Sequence, residues 1–403
     1  MNQQPRHDRS VMSCAVAPQV LLFLGGVSPS SPTFDDGYSS WILIFTSLGA
    51  SLFLCGVLTR WAKTLVPKAR CSGSDQHPNQ SAAPNCSEKA QKPTLQGSDD
   101  RAKLVQRFLD QGRIAILLRP QIARTLEAEH FTVIQQLFQE ETARISGGEV
   151  ALTDWSFEES EPSPNQVAKH RVEVDAFYLD RSTITNRQFQ QFVADGGYGQ
   201  QSLWDAAIWP RVNEFVDCAG TPGPRYWKSG MYLPGEDDLP VVGVNWYEAD
   251  AFARWAGRRL PSDAEWVKAA VCPNASLGQD TIPKKFPWGD NFEPQRANVW
   301  ISGIGHPVAA DGANASHSKD DVVQLIGNVW EWTTCDAKIT SYGRDVQFEL
   351  PLKSLRGGAF DTYFENQATC QLQSADSPLA RRRNVGFRCA LAATDVIDFG
   401  GEA

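Results

Sequence analysis

Tryptophan is the residue that most constrains how this chain can fold. The sequence has 13 Trp among its 403 residues, and all but Trp41 and Trp61 lie after residue 150. An indole ring is large and amphipathic, so each one needs apolar surroundings and a partner for its N–H group. Because 24 Pro and only 3 Met accompany these rings, they predict a compact, loop-rich domain after residue 150 rather than a helical bundle.

The charge balance and the spacing of cysteine and histidine exclude several classes of protein. The chain has 38 Lys and Arg against 47 Asp and Glu, a net charge of −9, and Arg381-Arg382-Arg383 is its one run of three consecutive cations. A nucleic-acid binder needs a concentrated positive face, so no nucleic-acid partner is expected. The 9 Cys form no C-x-x-C pattern, which argues against structural zinc. The 6 His form no H-x-x-H or H-x-x-x-H pattern, which argues against histidine-ligated iron.

Residues 41–58 predict a transmembrane helix that follows a polar, turn-rich segment over 1–40. These eighteen residues carry no charge, and as a helix they would rise roughly 27 Å, close to the thickness of a bilayer core. Trp41 and Trp61 flank the stretch as interfacial aromatic residues do. A buried helix of a soluble domain is the alternative for 41–58. The short apolar run 20–27, which follows two arginines, leaves a signal peptide open as well.

The charges on either side of residues 41–58 predict the orientation of the span. Asp35 and Asp36 precede it, and four cations follow directly: Arg60, Lys63, Lys68 and Arg70. Because positive residues remain on the cytoplasmic side, we expect a single-pass protein that contacts the lipid bilayer through 41–58. Its soluble domain would then lie in the cytoplasm.

The segments that follow the span differ in composition. Residues 59–100 become rich in Ser, Asn, Gln and Pro, so they are predicted to be a disordered linker. Residues 101–145 have apolar residues at helical spacing, and Pro120 is a favourable residue for starting a helix. This helical segment either packs on the main domain or forms a dimerisation surface.

Residues 146–395 have the pattern of an α+β domain with little regular secondary structure, followed by a tail over 396–403. Alternating apolar residues predict a strand over 170–179. Three short helices are predicted over 186–194, 247–256 and 263–270. Thr185 and Ser262 provide N-caps for the first and third helices, and Gly257 ends the second.

Eight sequence motifs in this domain occur in the order found in the formylglycine-generating (sulfatase-modifying factor) family, which the chain resembles over about 146–393. The family fold is an elaborated C-type-lectin-like domain, and that fold is what the resemblance implies. Six Trp within or beside these motifs are expected to be buried and structural: Trp255, Trp266, Trp288, Trp300, Trp330 and Trp332. The motifs begin at Phe177, Pro240, Trp255, Phe286, Ala297, Gly327, Arg356 and Gly386.

The resemblance also implies two copper-binding thiolates five residues apart, shortly after Arg356-Gly357-Gly358. Alignment from the glycines places Thr362 and Gln367 at these positions, whereas alignment from Gly386 places Phe360 and Glu365 there. Neither pair contains a thiolate, the ligand that suits Cu(I). We therefore expect no copper, and we assign no catalytic residue.

The nearest thiol is Cys370, and the resemblance implies that it pairs with Cys272. A disulfide between Cys272 and Cys370 conflicts with the cytoplasmic location that the charges predict, because thiols stay reduced there. These two cysteines are thus candidates for either a disulfide or a redox role.

The resemblance implies calcium as a second cofactor. One candidate site consists of Asn298 and the carbonyl of Val299. The other consists of Gln324 and the carbonyls of Leu325, Gly327 and Val329. Oxygen ligands of this kind are those that calcium prefers.

Three functional hypotheses follow. The first is a binding or accessory module for an unknown protein or small ligand, with 204–224 and 341–350 as candidate binding loops. The second is a formylglycine-generating oxidase or related oxidoreductase that uses displaced thiols, Cys370 with Cys335 or Cys389. The third is a membrane-attached sensor that self-associates through 101–145. An iron-dependent sulfoxide synthase related to this family would need a histidine triad, and 101–145 contain only His130.

Overall fold

The structure is a computed structural model that describes residues 98–152, 170–271, 284–312, 318, 320–337, 340–341, 344–346, 348 and 350–397. The predicted segment 1–40, the span 41–58, all but the last residues of the linker 59–100, Cys272 and residues 398–403 of the tail lie outside these ranges. No helix within the described ranges has the length and apolar character needed to cross a bilayer. The elements below all belong to the compact unit Ala90–Ala403.

The N-terminal part of this unit consists of helices. Helix α1 spans Ser98–Asp110 and α4 spans Ala128–Glu141, with the short helices α2, Ile114–Leu117, and α3, Pro120–Ala123, between them. Their apolar faces share a core with residues of the main domain, namely Tyr178, Leu391 and Val396. The prediction that this segment packs on the main domain is therefore confirmed.

The helical segment ends four residues earlier than the predicted boundary at 145. Strand β1, Thr142–Ile145, follows α4 directly and pairs antiparallel with β4, Phe177–Asp180. Strand β11, Ala390–Ala392, lies on the other side of β4. Ala143 and Ile145 are buried on either side of the exposed Arg144, which is the alternation of a strand. Four residues directly after a helix are too few for this alternation to be recognised in the sequence.

The predicted strand over 170–179 is two strands in different sheets, so the expectation of one continuous strand was wrong. Strand β3, His170–Val174, pairs with β2, Gly148–Leu152, whereas β4 pairs with β1 and β11. Every residue of β4 is buried. A strand that is buried on both faces lacks the alternation of apolar and polar residues that β3 shows. The sequence pattern therefore does not reveal where β3 ends and β4 begins.

A second sheet contains the strand that ends at Arg356, directly before Gly357 and Gly358. Its strands are β5, Trp330–Ala337; β8, Leu352–Arg356; β9, Ser374–Asp376; and β10, Val385–Gly386. Their order in the sheet is β10-β5-β8-β9, and β10 runs parallel to β5. The short strands β6, Thr340–Ser341, and β7, Arg344–Asp345, form a separate ribbon.

The three predicted helices are present with the predicted caps. Helix α5 spans Asn186–Ala194 and begins with a capping box between Thr185 and Gln188. Helix α6 spans Trp246–Trp255, one residue earlier than predicted, because Asn245 caps it. Helix α7 spans Asp263–Val271, and the Ser262 hydroxyl accepts a hydrogen bond from the Glu265 N–H. Local side-chain chemistry therefore determines where these helices begin.

The main core is aromatic, as the tryptophan content predicted. Trp255, Trp266 and Trp332 are fully buried, and rings of this size each remove about 150–250 Å² from water. Their N–H groups donate to Asp195, Glu331 and the Val244 carbonyl, respectively. Helices and short sheets are thus joined by long loops around buried indoles, which is the α+β class that the sequence predicted.

Candidate functional site

The segment after β8 begins with an arginine that is fixed on two sides. The Arg356 Nη2 lies 2.8 Å from an Asp263 carboxylate oxygen, and its Nη1 donates to the Gln371 carbonyl. Both side chains of the Arg356–Asp263 pair are less than a tenth exposed. The pair therefore joins the end of β8 to the first residue of α7.

Asp263 is a hub of hydrogen bonds. Its carboxylate accepts from the hydroxyls of Thr333 and Ser354 in addition to Arg356. Burial acts to raise the pKa of Asp263, but Arg356 and the two hydroxyls outweigh it and hold the pKa below its ordinary value. Asp263 is thus an ionised structural carboxylate rather than a proton donor.

Gly357 and Gly358 direct the chain away from the sheet. Both have positive φ, +96° and +81°, in the left-handed region that glycine tolerates best. A Cβ atom on Gly357 would lie 2.7 Å from the Leu325 carbonyl oxygen. Gly357 is therefore required for the close approach of this loop to the 324–328 turn, whereas a Cβ on Gly358 would lie 2.9 Å from the Ala368 Cβ.

The positions that correspond to the family thiolates hold other chemistry in this chain. The Thr362 side chain is buried, and its hydroxyl accepts a hydrogen bond of 2.8 Å from the Ala359 N–H. Gln367 is exposed; in the second alignment Phe360 is buried and Glu365 is exposed. None of these four side chains offers a sulfur ligand, so the residues present do not fit a two-thiolate copper site.

The three thiols named for a displaced active site, Cys335, Cys370 and Cys389, are poorly suited to reactivity. Cys370 and Cys389 are fully buried and free. Burial raises the pKa of each far above the ordinary thiol value, and for Cys389 the neighbouring Asp180 carboxylate adds to the effect. Burial also raises the pKa of Cys335. The nucleophilic species is the thiolate, so all three are held in the unreactive form.

The candidate disulfide partner, Cys272, lies outside the described residues. The pairing of Cys272 with Cys370 therefore stays a prediction.

The predicted calcium residues lie together in a turn closed by amide side chains. The Asn328 Oδ1 accepts from the Val308 N–H, and its Nδ2 donates to the Val308 carbonyl, which fixes the orientation of the amide. The same Nδ2 donates to the Gln324 Oε1 over 2.6 Å, and the Gln324 Nε2 donates to the Ala309 carbonyl. Asn298 joins through its Nδ2, 3.1 Å from the Asn328 Oδ1. Three amides therefore hold the loop 306–309 against the 324–328 turn.

This network limits what the predicted ligands can offer to an ion. The Gln324 side-chain oxygen is engaged by Asn328, and the Val299 carbonyl accepts from the Ser302 hydroxyl over 2.6 Å. Within the described ranges, no three His, Cys, Asp or Glu side chains converge in a way that could hold a metal. Calcium binding through Asn298, Val299, Gln324, Leu325, Gly327 and Val329 stays a prediction, and the amides already satisfy the turn.

An exposed apolar patch, here called the aromatic surface, lies beside the positions that correspond to the family thiolates. Its members and their exposed fractions are Trp300 58%, Ile301 57%, Tyr363 64% and Phe364 55%. The Trp300 and Tyr363 ring centroids are 6.1 Å apart, and those of Tyr363 and Phe364 are 5.0 Å apart. The Trp300 N–H donates to the Thr362 carbonyl, so the backbone itself holds the two segments together.

The aromatic surface shows that one prediction about Trp300 was wrong, and it lies outside the loops that were predicted to bind a ligand. Trp300 was expected to be a buried structural ring, but more than half of it is exposed. The expected binding loop 204–224 instead directs Trp204 and Phe215 into the core, and 341–350 are described only in part. The one available signal was the adjacent pair Tyr363-Phe364 between Asp361 and Glu365, since paired aromatics among acidic residues suit a surface loop.

Comparison with known proteins identifies the class to which this fold and loop belong. Residues 129–393 match the family described as a sulfatase-modifying factor enzyme 1-like domain. Because the match covers most of the chain, the protein belongs to this family, as the sequence motifs predicted.

Individual relatives carry different activities in their names. The formylglycine-generating enzyme of Streptomyces coelicolor is 28% identical over 61% of this chain and 88% of its own length. The hercynine oxygenase of Mycobacterium tuberculosis is 36% identical over 42% of this chain, and the match spans only 40% of that protein. Among solved structures, PvdO from Pseudomonas aeruginosa has a TM-score of 0.41 at 18% identity, with 62% of this chain and 94% of that chain covered.

Proposed function

We propose that this chain is a membrane-tethered binding or accessory module of the family that does not perform copper-dependent cysteine oxidation. The observation that carries the proposal is the Thr362 hydroxyl, which caps the Ala359 N–H where a thiolate would bind copper. A buried threonine that satisfies its own loop cannot replace a soft sulfur ligand. The mouse protein named "Inactive C-alpha-formylglycine-generating enzyme 2", 27% identical over 55% of this chain and 77% of its own length, supports the same direction.

The aromatic surface is the proposed binding face for a protein or small ligand. Exposed apolar patches of this kind commonly mark interaction sites, and Trp and Tyr supply much of the binding energy at protein interfaces. Asp361, which accepts from the Asn384 amide over 2.9 Å, and Arg383, 5.8 Å from the Phe360 ring centroid, border the surface. They provide a polar rim around an apolar centre, which is the usual anatomy of an interface.

The alternative is a formylglycine-generating oxidase or related oxidoreductase with a displaced active site. The names of the Streptomyces and Mycobacterium relatives favour it. The candidate displaced thiols are Cys370 with Cys335 or Cys389, and burial raises the pKa of all three. A rearrangement that exposes them would be needed before any of them could act as a thiolate.

A metal and turnover assay on the purified full chain separates the two functions. The chain is loaded anaerobically with Cu(I), its bound copper is counted, and oxygen uptake is followed with a cysteine peptide of the Cys-x-Pro-x-Arg type. We expect no stoichiometric copper and no peptide-dependent oxygen uptake. One equivalent of copper together with peptide oxidation would overturn the binding-module proposal and establish the alternative.

Substitutions in the aromatic surface test its role. Trp300→Ala and Tyr363→Ala should leave the free energy of unfolding within about 0.5 kcal/mol of the wild type, because both side chains are exposed. Trp332→Ala, which empties a fully buried site, should cost about 3–5 kcal/mol. Proximity labelling from the chain in cells should lose its specific partners in the surface variants, while expression stays normal. Unchanged labelling in both variants would remove this face from the proposal.

The membrane tether is a separate part of the proposal. It rests on the uncharged stretch 41–58 and on the cations that follow it. Protease treatment of sealed membranes should leave the domain uncut when the cytoplasmic face is inside, and should release it when that face is outside. Recovery of the full chain in the soluble fraction would contradict the tether without bearing on the binding face.

A further inference from the structure

A cleft of about 350 Å³ lies on the segment that leads from β9 to β10. Arg225 lines it together with residues of the β9–β10 segment, namely Asp376, Ser377, Leu379 and Arg382. A volume of this size is at the small end of the range for ligand pockets. The cleft has room for one small group of a ligand.

Most of the charge around the cleft is already compensated. Arg382 donates through Nε to the Asp376 carboxylate over 2.8 Å. Arg381 is fixed by the Gly243 and Val216 carbonyls and by Glu248, 2.9 Å away. These two guanidinium–carboxylate pairs contribute no net charge, and Arg381 serves to hold the loop in place.

Arg225 is different from its neighbours. Its backbone N–H donates to the Gly243 carbonyl, which fixes where the side chain starts. Among the described residues, no hydrogen bond or ion pair to its guanidinium is found, and the residue is exposed. Ser377 also lines the cleft. Its hydroxyl accepts a hydrogen bond from the Leu379 N–H and retains its own proton as a donor.

We propose that this cleft binds a carboxylate group, with Arg225 as the charged ligand and Ser377 as a second hydrogen-bond donor. The uncompensated charge of the cleft is that of one guanidinium, which matches a monoanion. A phosphate monoester carries about −1.5 to −2 at neutral pH and would leave excess negative charge beside Asp376. A guanidinium also presents two parallel N–H groups, the geometry that a carboxylate accepts.

The apolar residues that line the cleft narrow the chemical class of the ligand further. Leu379 and Ala380 line the cleft, so the body of the ligand beside its carboxylate is aliphatic. A short-chain fatty acid and the C-terminal residue of a peptide share this chemistry. The cleft shares no lining residue with the aromatic surface, and its occupancy does not depend on whether the chain oxidises cysteine.

Ligand-observed NMR titrations of the full chain, at constant ionic strength, test the proposal. The probes are sodium butyrate, the tripeptide Gly-Gly-Leu, its C-terminal amide, and inorganic phosphate. We expect saturable binding of butyrate or of the free tripeptide, and the stronger of the two identifies the source. Binding of the amide as tight as that of the acid, or tighter binding of phosphate, would overturn the assignment of a carboxylate.

Variants of the cleft complete the test. Arg225→Ala should weaken binding about tenfold or more, since it removes a charge-assisted hydrogen bond. Arg225→Lys keeps the positive charge but removes the two parallel N–H groups of the guanidinium, so it should weaken binding less than Arg225→Ala does. Arg124→Ala removes an exposed cation from the end of α3 and should leave binding unchanged. The Arg225→Ala variant keeps the backbone hydrogen bond to the Gly243 carbonyl. Its unfolding curve, recorded in chloride buffer without any probe, should therefore match that of the wild type and verify that the variant is folded. Equal binding by Arg225→Ala and the wild type would end the proposal.

Discussion

Arg388 and Glu331 form a bidentate ion pair at the centre of the domain, with Nε and Nη2 of the arginine each 2.7 Å from a carboxylate oxygen. Both side chains are at most 1% exposed. The Trp266 indole donates to the same carboxylate, and Arg388 also donates to the carbonyls of Asp180 and Val323. One buried pair thereby ties β5, α7 and the end of β4 together.

Breaking this pair should destabilise the domain strongly. Glu331→Gln leaves a guanidinium buried without its counter-charge, and the loss of one partner of a buried pair typically costs about 3–5 kcal/mol. Urea unfolding followed by tryptophan fluorescence measures the change. Glu214→Gln, in the exposed Arg211–Glu214 pair, is the control and should be indistinguishable from the wild type. A comparable loss in both variants would contradict the structural role assigned to Glu331.

Alkaline pH should destabilise the fold through its buried thiols. The pKa of Cys370 is raised in the folded state by burial, so the folded chain keeps this proton while the unfolded chain releases it near pH 8.5. Stability is therefore fully present below that pH and falls as pH rises above it, by at most about 1.4 kcal/mol per pH unit for one thiol. Unfolding with reductant at pH 7 and 9.5 measures the slope. Cys370→Ala should reduce it, whereas Cys218→Ser, at an exposed thiol, should not.

Gly357 should tolerate no side chain. Gly357→Ala places a Cβ 2.7 Å from the Leu325 carbonyl oxygen at a φ of +96°, and left-handed strain plus overpacking should cost about 2–5 kcal/mol. Gly199 provides the matched control, because a Cβ there meets nothing within 4 Å. Gly199→Ala should change the free energy of unfolding by less than about 0.5 kcal/mol. Similar denaturation midpoints for the two variants would show that the loop can shift.

Chelation tests the calcium prediction against the amide network. Because Asn328 and Gln324 bind each other and the 306–309 backbone, the turn should hold without an ion. Thermal unfolding in EDTA should therefore match that in the presence of calcium. A melting temperature that falls on chelation and recovers with calcium, but not with magnesium, would instead place an ion among these oxygens.

Local chemistry allowed part of this structure to be predicted from the sequence. Thr185 and Ser262 mark helix starts because a hydroxyl near the first N–H groups is sufficient by itself. The motif around Arg356 was recognisable, yet its partner Asp263 lies 93 residues earlier. Nothing in the spacing of these two residues indicates contact. Long-range pairs of this kind are set by tertiary packing, which a linear pattern does not encode.

The candidate sites also divide into features that the residue identities predict and features that only the tertiary structure reveals. The missing sulfur ligands after Gly358 could be inferred from residue identity alone. The exposure of Trp300 could not, because an indole has the same composition whether it fills a core or faces water. Arg225 likewise became a candidate only when the structure showed which neighbouring arginines were already paired.

Helix α4 passes into β1 with no intervening residue between Glu141 and Thr142. Strand β1 in turn borders β4, whose last residue, Asp180, accepts from the Cys389 N–H and pairs with Arg258. A displacement of α4 would thus pass directly into β1 and from there to the strand that carries Asp180. The N-terminal helices act as a handle on the central sheet rather than as a spacer.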